Sequence, residues 1–113
     1  MRWTDSMAWS AIEQGAHPVP DKPGVYEVLG PEGGPSLTIG KASSLRSRVV
    51  QALIRGNLPH SAGERIRQSE DTTALTVRYR VLASIKDADR LEAELHESHV
   101  RVFGALPKHT RRT

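Results

Sequence analysis

Leu75, Val77, Tyr79 and Val81 alternate with Thr76, Arg78 and Arg80, a period of two that predicts a strand over residues 74–82 with one apolar face. Residues 24–29 carry β-formers in the same alternation, residues 31–35 turn the chain on two prolines and two glycines, and residues 36–40 read as the returning strand of a hairpin. The period then changes. Leu45, Val49, Ala52 and Leu53 recur at steps of three and four, predicting an amphipathic helix over 43–54 that starts near Ser43 or Ser44, stops at Gly56 and leaves Arg46 and Arg48 off its apolar stripe. Ala88, Leu91 and Leu95 mark another helix over about 86–100, opened by the capping-box spacing of Ser84 and Asp87. Residues 6–14 suit a short helix between Ser6 and Gly15. Residues 60–68 suit a weaker one, since Gly63 interrupts it and only Ile66 is strongly apolar. Pro18, Pro20 and Pro23 make the stretch between extended and rigid. Three strands interleaved with helices predict an α/β (α+β) layered domain.

At 113 residues and 12.4 kDa the chain has material for one core. It divides into a helix and proline-rich lead-in (1–22), a main domain (23–107) and a basic tail (108–113). With no cysteine, disulfides, thiolate metal sites and thiol nucleophiles are excluded, and any metal must sit on oxygen or imidazole. No apolar run reaches the roughly 18–20 residues of a membrane helix, and the first residues lack the order of a secretory signal; the expectation is a cytoplasmic protein with no membrane contact.

The formal charge of +3 is unevenly spread. Residues 41–67 carry Lys41, Arg46, Arg48, Arg55, Arg65 and Arg67 against Glu64 alone, and residues 101–113 carry four bases and no acid. Such runs are either solvated faces or the footprint of a phosphate backbone. Phosphate loops, zinc-binding His-Glu-x-x-His helices and nucleophile elbows are absent. One Phe, two Trp and two Tyr are too few for a platform that stacks bases, which favours backbone contacts.

Taken one at a time, the polar residues have ordinary explanations. Tyr26 packs a hairpin, Arg48 covers a helix face, His60 begins a helix, and Glu97 is an i,i+4 partner for Arg101. Their order says more. Pro23-Gly24-Val25-Tyr26, then Thr38-Ile39-Gly40, then residues 41–48 ending at Arg48, and finally Glu92-Ala93 followed by Glu97 resemble the motifs of the GIY-YIG nuclease family over about 23–107.

The resemblance implies a small three-stranded antiparallel sheet flanked by helices, and an endonuclease that hydrolyses phosphodiesters in DNA, double-stranded by family default, with one divalent ion, Mg²⁺ or Mn²⁺. By the same resemblance Glu97 is the metal ligand, with Glu92 as a rival one and a half turns earlier, and Arg48 stabilises the scissile phosphate. Tyr26, Lys41 and His60 are the candidates to activate water, His60 having the ordinary pKa nearest neutrality. Lys41, Thr38, Arg46 and Arg55 are candidate substrate contacts. Thr38 stands where the family has its second tyrosine, and the family's terminal Tyr-Asn is absent, with His109-Thr110 nearby. The alternative reading is therefore a degenerate member that binds nucleic acid or a protein partner without cutting. Sequence specificity would have to come from a loop, the tail or a second subunit in a homodimer.

Overall fold

Tyr26 and Val25 point to opposite faces of a sheet, and both are buried. Their strand is covered on both sides, which sets the architecture of the computed structural model; it describes residues 2–31 and 35–110. In chain order the elements are β1 (Met7–Ala8), α1 (Trp9–Glu13), β2 (Gly24–Leu29), β3 (Thr38–Ala42), a π-type helix here called α2 (Arg46–Ile54), α3 (Ser61–Ser69), a 3₁₀ turn (Thr72–Ala74), β4 (Thr76–Val81) and α4 (Ile85–Phe103). The sheet is antiparallel in the order β1-β4-β2-β3.

One face of the sheet, presenting Tyr26, Val28, Val77 and Tyr79, buries against Trp9, Ile12, Leu45, Val49, Leu53 and Ile66 of the first three helices and the segment before α2. The other face, presenting Val25 and Ile39, buries against Ala88, Leu91 and Leu95 of α4, with Trp3 added at its margin. The α+β class and flanking helices expected from the sequence are found, with the predicted apolar face of β4 turned inward. Glu27, also on the α4 side, is buried among them and satisfied by Arg78 Nε (2.5 Å) and the Ser36 hydroxyl.

The sheet has four strands where three were expected. Met7 and Ala8, assigned above to the first helix, pair with Val77 and Thr76, while Thr4 exchanges hydrogen bonds with Tyr79 just before them. The outer edge of β4 would otherwise present unpaired amides and carbonyls, and the leading segment covers them. The helix accordingly begins at Trp9.

The 43–54 helix also differs, starting at Arg46 and closing wider turns, with the Arg55 N–H bonded to the Val50 carbonyl. This winding brings residues four and five apart onto one face, so Val49 with Val50 and Leu53 with Ile54 are buried together.

Gly63 strengthens the packing of α3 where it was expected to weaken the helix. A Cβ there would lie 2.7 Å from the Leu53 carbonyl, so only glycine allows α3 to approach the end of α2 this closely. Arg67 from α3 caps that end by donating to the Ala52 and Leu53 carbonyls. Ser84 caps α4 as predicted, accepting from the Asp87 N–H at 3.1 Å, and Gly104 ends it at φ +79°. Most of the predicted 31–35 turn and the tail residues Arg111 and Arg112 lie outside the described residues. Among the described residues no helix is long and apolar enough to cross a membrane.

Candidate active site

β3 is the edge strand of the sheet, and side chains cap its outward backbone groups. The Ile39 carbonyl accepts from His96 Nε2 (2.8 Å), the Ile39 N–H donates to Thr110 Oγ1 (3.2 Å), and the Lys41 N–H donates to Glu92 Oε2 (2.8 Å). Glu92 and His96, both from α4, thus stand beside the strand that carries Thr38 and Lys41.

Tyr26 reaches the same place from β2. It lies directly across from Gly40, and a Cβ at Gly40 would collide with the phenol ring and hydroxyl. Glycine at 40 lets the phenol lie over the backbone of β3 and into the cavity beyond. Gly40→Ala should therefore cost about 1–3 kcal/mol, as overpacking does, and urea denaturation measures it; unchanged stability would mean that the phenol lies elsewhere.

The cavity has a volume of about 500 Å³ and is lined by Tyr26, Thr38, Lys41, Arg48, His60 and Glu92, among others. His60 sits at the head of α3, where its Nδ1 accepts the Gly63 N–H at 2.9 Å. That bond leaves the proton of the neutral ring on Nε2, which is 2.7 Å from the Tyr26 hydroxyl oxygen. His60 therefore donates to Tyr26, and the phenol proton is free to turn elsewhere. Burial lowers the His60 pKa to about 4, assisted by the charges of Arg48 and Arg67, so the ring is neutral throughout the physiological range. Burial also pushes Tyr26 up to about 12, with the Arg48 guanidinium pulling against it.

Tyr26, Arg48, His60, Lys41 and Thr38 are thus brought to one cavity, while three other expected residues are not. The Glu97 side chain is 73% exposed and faces Arg101 at 3.7 Å. Five residues separate it from Glu92, which turns it about 140° around the helix, away from the face defined by buried Ala88. Glu92 is the α4 carboxylate that lines the cavity. Arg46 is drawn off to the lead-in segment, its Nε donating to the Val19 carbonyl (3.2 Å) and its N–H to the Pro20 carbonyl (3.0 Å). Arg55, at the end of α2, is exposed and outside the cavity lining. The Lys41 ammonium pairs with Asp89 at the surface, a contact worth little.

Sequence reasoning gave no individual site role to four other lining residues, His96, Arg65, His109 and Thr110. The signal for His96 was available, since residues 88, 92 and 96 repeat at helical spacing. His109 and Thr110 were noted only as lying near the place of the family's terminal Tyr-Asn. They arrive through tertiary bonds, His109 to Glu70 (2.8 Å) and Thr110 to Thr38 (2.8 Å), and hydrogen bonds from His109 and Lys108 hold the Glu70 carboxyl below its usual range.

No family model and no curated protein matches the chain. Solved structures do match it. The GIY-YIG N-terminal endonuclease domain of UvrC from Thermotoga maritima, bound to magnesium as its catalytic divalent cation, is 25% identical with a TM-score of 0.61, over 90% of this chain and 93% of that one. Two point variants of the same domain, each with a tyrosine changed to phenylalanine and each bound to the catalytic divalent cation, are 27% and 26% identical with TM-scores of 0.62 and 0.63, over 89% of this chain and 96% of theirs. The fold is that of a GIY-YIG endonuclease domain. In fold and in the order of its motifs the chain is similar to the GIY-YIG family.

Proposed function

We propose that this protein is a divalent-metal-dependent endonuclease that hydrolyses phosphodiester bonds in DNA. The observation that carries the reading is convergence. Tyr26 from β2, Arg48 from α2, His60 from the head of α3 and Glu92 from α4 open on one cavity.

The donors suit a single hard cation such as Mg²⁺ or Mn²⁺. Among the described residues no three His, Cys, Asp or Glu side chains gather to cage a metal, and a hard ion of this kind is commonly held by one or two carboxylates with water and substrate oxygens. Glu92 would hold it, with Oε2 already steadied by the Lys41 N–H. Bound there, the ion would polarise a phosphate oxygen and lower the pKa of a bound water.

Arg48, exposed at the cavity wall, offers a planar fork of donors to the phosphate as negative charge builds on it. His60 has both ring nitrogens engaged, one accepting from Gly63 and the other donating to Tyr26, so it serves to orient the phenol and to support its anion. The fraction of Tyr26 that has released its proton to solvent would, as phenolate, take the proton of the attacking water and return to phenol. Thr38, bonded to Thr110, can orient water but cannot ionise.

Supercoiled plasmid incubated with Mg²⁺ should be nicked, and a chelator should stop it. Because the phenol is held near 12, the rate constant should rise about tenfold per pH unit from about pH 6 to 9, and Tyr26→Phe should remove the slope. An imidazole base held near 4 would instead give a flat profile over this range. The Thr38–Thr110 pair favours one other reading, a member that binds without cutting. Salt-sensitive duplex binding with no metal-dependent nicking would establish it.

A further inference from the structure

The cavity holds a second guanidinium that the hydrolytic reading does not use. Ser61 and Arg65 lie one turn apart on α3, and both line the cavity that Arg48 enters from α2. Arg65 is anchored on one side only, where Nη2 donates to the His109 carbonyl. Its Nε is buried without a hydrogen-bond partner, and none of the carboxylates among the described residues forms an ion pair with it. A charged donor left this way is costly unless an acceptor arrives. Its charge is felt at the site, because it adds to those that keep His60 neutral.

We propose that Arg65 is a second phosphate-binding residue, which grips a phosphodiester next to the one facing Arg48 on the same strand. The inference rests on the nuclease reading of the cavity and deepens it. A polynucleotide offers phosphates in succession along one strand. Two arginines lining one cavity from different helices can therefore hold neighbouring phosphates of a chain. The planar, permanently charged fork of arginine suits both positions. Binding at Arg65 sets the register of the strand, so that the bond presented to Glu92 and Tyr26 lies between two held phosphates.

The test measures binding of a short DNA duplex to the full chain by fluorescence anisotropy over a series of salt concentrations, with Ca²⁺ in place of Mg²⁺ so that the strand stays intact. Arg65→Gln should weaken binding about tenfold, the size of one charge-assisted contact, and reduce the slope of log affinity against log salt by about one. Arg65→Lys should keep the slope, and Arg90→Gln on the exposed side of α4 should match the wild type. In the nicking assay Arg65→Gln should raise KM and leave kcat within about twofold. Melting temperatures measured alongside separate binding from folding. Wild-type affinity and slope in a folded Arg65→Gln protein would overturn the proposal. So would an equal loss of melting temperature and affinity in Arg65→Gln and Arg65→Lys, which would make Arg65 a brace for the His109 segment. A wild-type protein that binds no duplex removes the nuclease reading itself, whereas a wild type that binds with an indifferent Arg65 variant removes only this inference.

Discussion

Glu92→Gln should reduce metal-dependent nicking about 10³-fold, whereas Glu97→Gln should leave it within about twofold. Glutamine keeps the shape of Glu92 and an oxygen that can accept the Lys41 N–H, but removes the negative charge a hard cation requires. The metal contributes several kcal/mol to the transition state, and each 1.36 kcal/mol is tenfold in rate. The fold should be unaffected, since Glu92 is half-buried and its bond to Lys41 survives the change. Glu97 is exposed and paired only with Arg101, a contact worth a few tenths of a kcal/mol at most. The two variants form an internal comparison on one helix. Mn²⁺ binding followed by water proton relaxation reads the same difference without turnover, with Glu92→Gln losing the ion and Glu97→Gln keeping it. Nicking that survives Glu92→Gln and disappears in Glu97→Gln would reverse the assignment.

Arg48→Ala should lower kcat about 10²–10³-fold, the usual effect of removing one donor aimed at developing charge, with little change in melting temperature because the side chain is exposed. Arg48→Lys should recover only part, since an ammonium is a point charge without the bidentate fork. A second consequence can be observed with no substrate present. The Arg48 charge holds down the pKa of His60 and opposes the rise of Tyr26. Removing it should move both upward, His60 from about 4 toward its ordinary 6.5. Imidazole proton shifts in an NMR titration report that change. An unmoved His60 would mean that the Arg48 guanidinium lies farther from the Tyr26–His60 pair than the cavity geometry requires.

Most of the secondary structure was legible before any tertiary information. A period of two is a local property, so β2 and the inward face of β4 could be read directly, and steps of three and four with a serine cap identified α4. The exceptions arose where a distant partner decided the conformation. Met7 and Ala8 carry helical propensity but cover the open edge of β4. Gly63 is a weak helix residue in isolation and a packing requirement beside the Leu53 carbonyl.

The candidate site divides along the same line. Tyr26, Thr38, Lys41, Arg48 and His60 were singled out by their order in the chain and line one cavity. Their order could not say which acidic residue joins them. Glu92 and Glu97 are equivalent as symbols, and only the rotation of α4 against the sheet turns one inward and the other to solvent. Arg46 and Arg55 likewise belong to a basic segment, yet one is spent on the Val19 carbonyl and the other lies beyond the cavity. The role of His60 depends on one amide, that of Gly63, which sends its proton toward Tyr26. By itself the sequence determined most of the elements, the serine cap of α4 and the set of chemical groups available, because these follow from neighbours a few residues apart. The tertiary structure decided which groups meet, in what protonation state, and with what left unpaired, because these depend on distances between segments that no local pattern encodes.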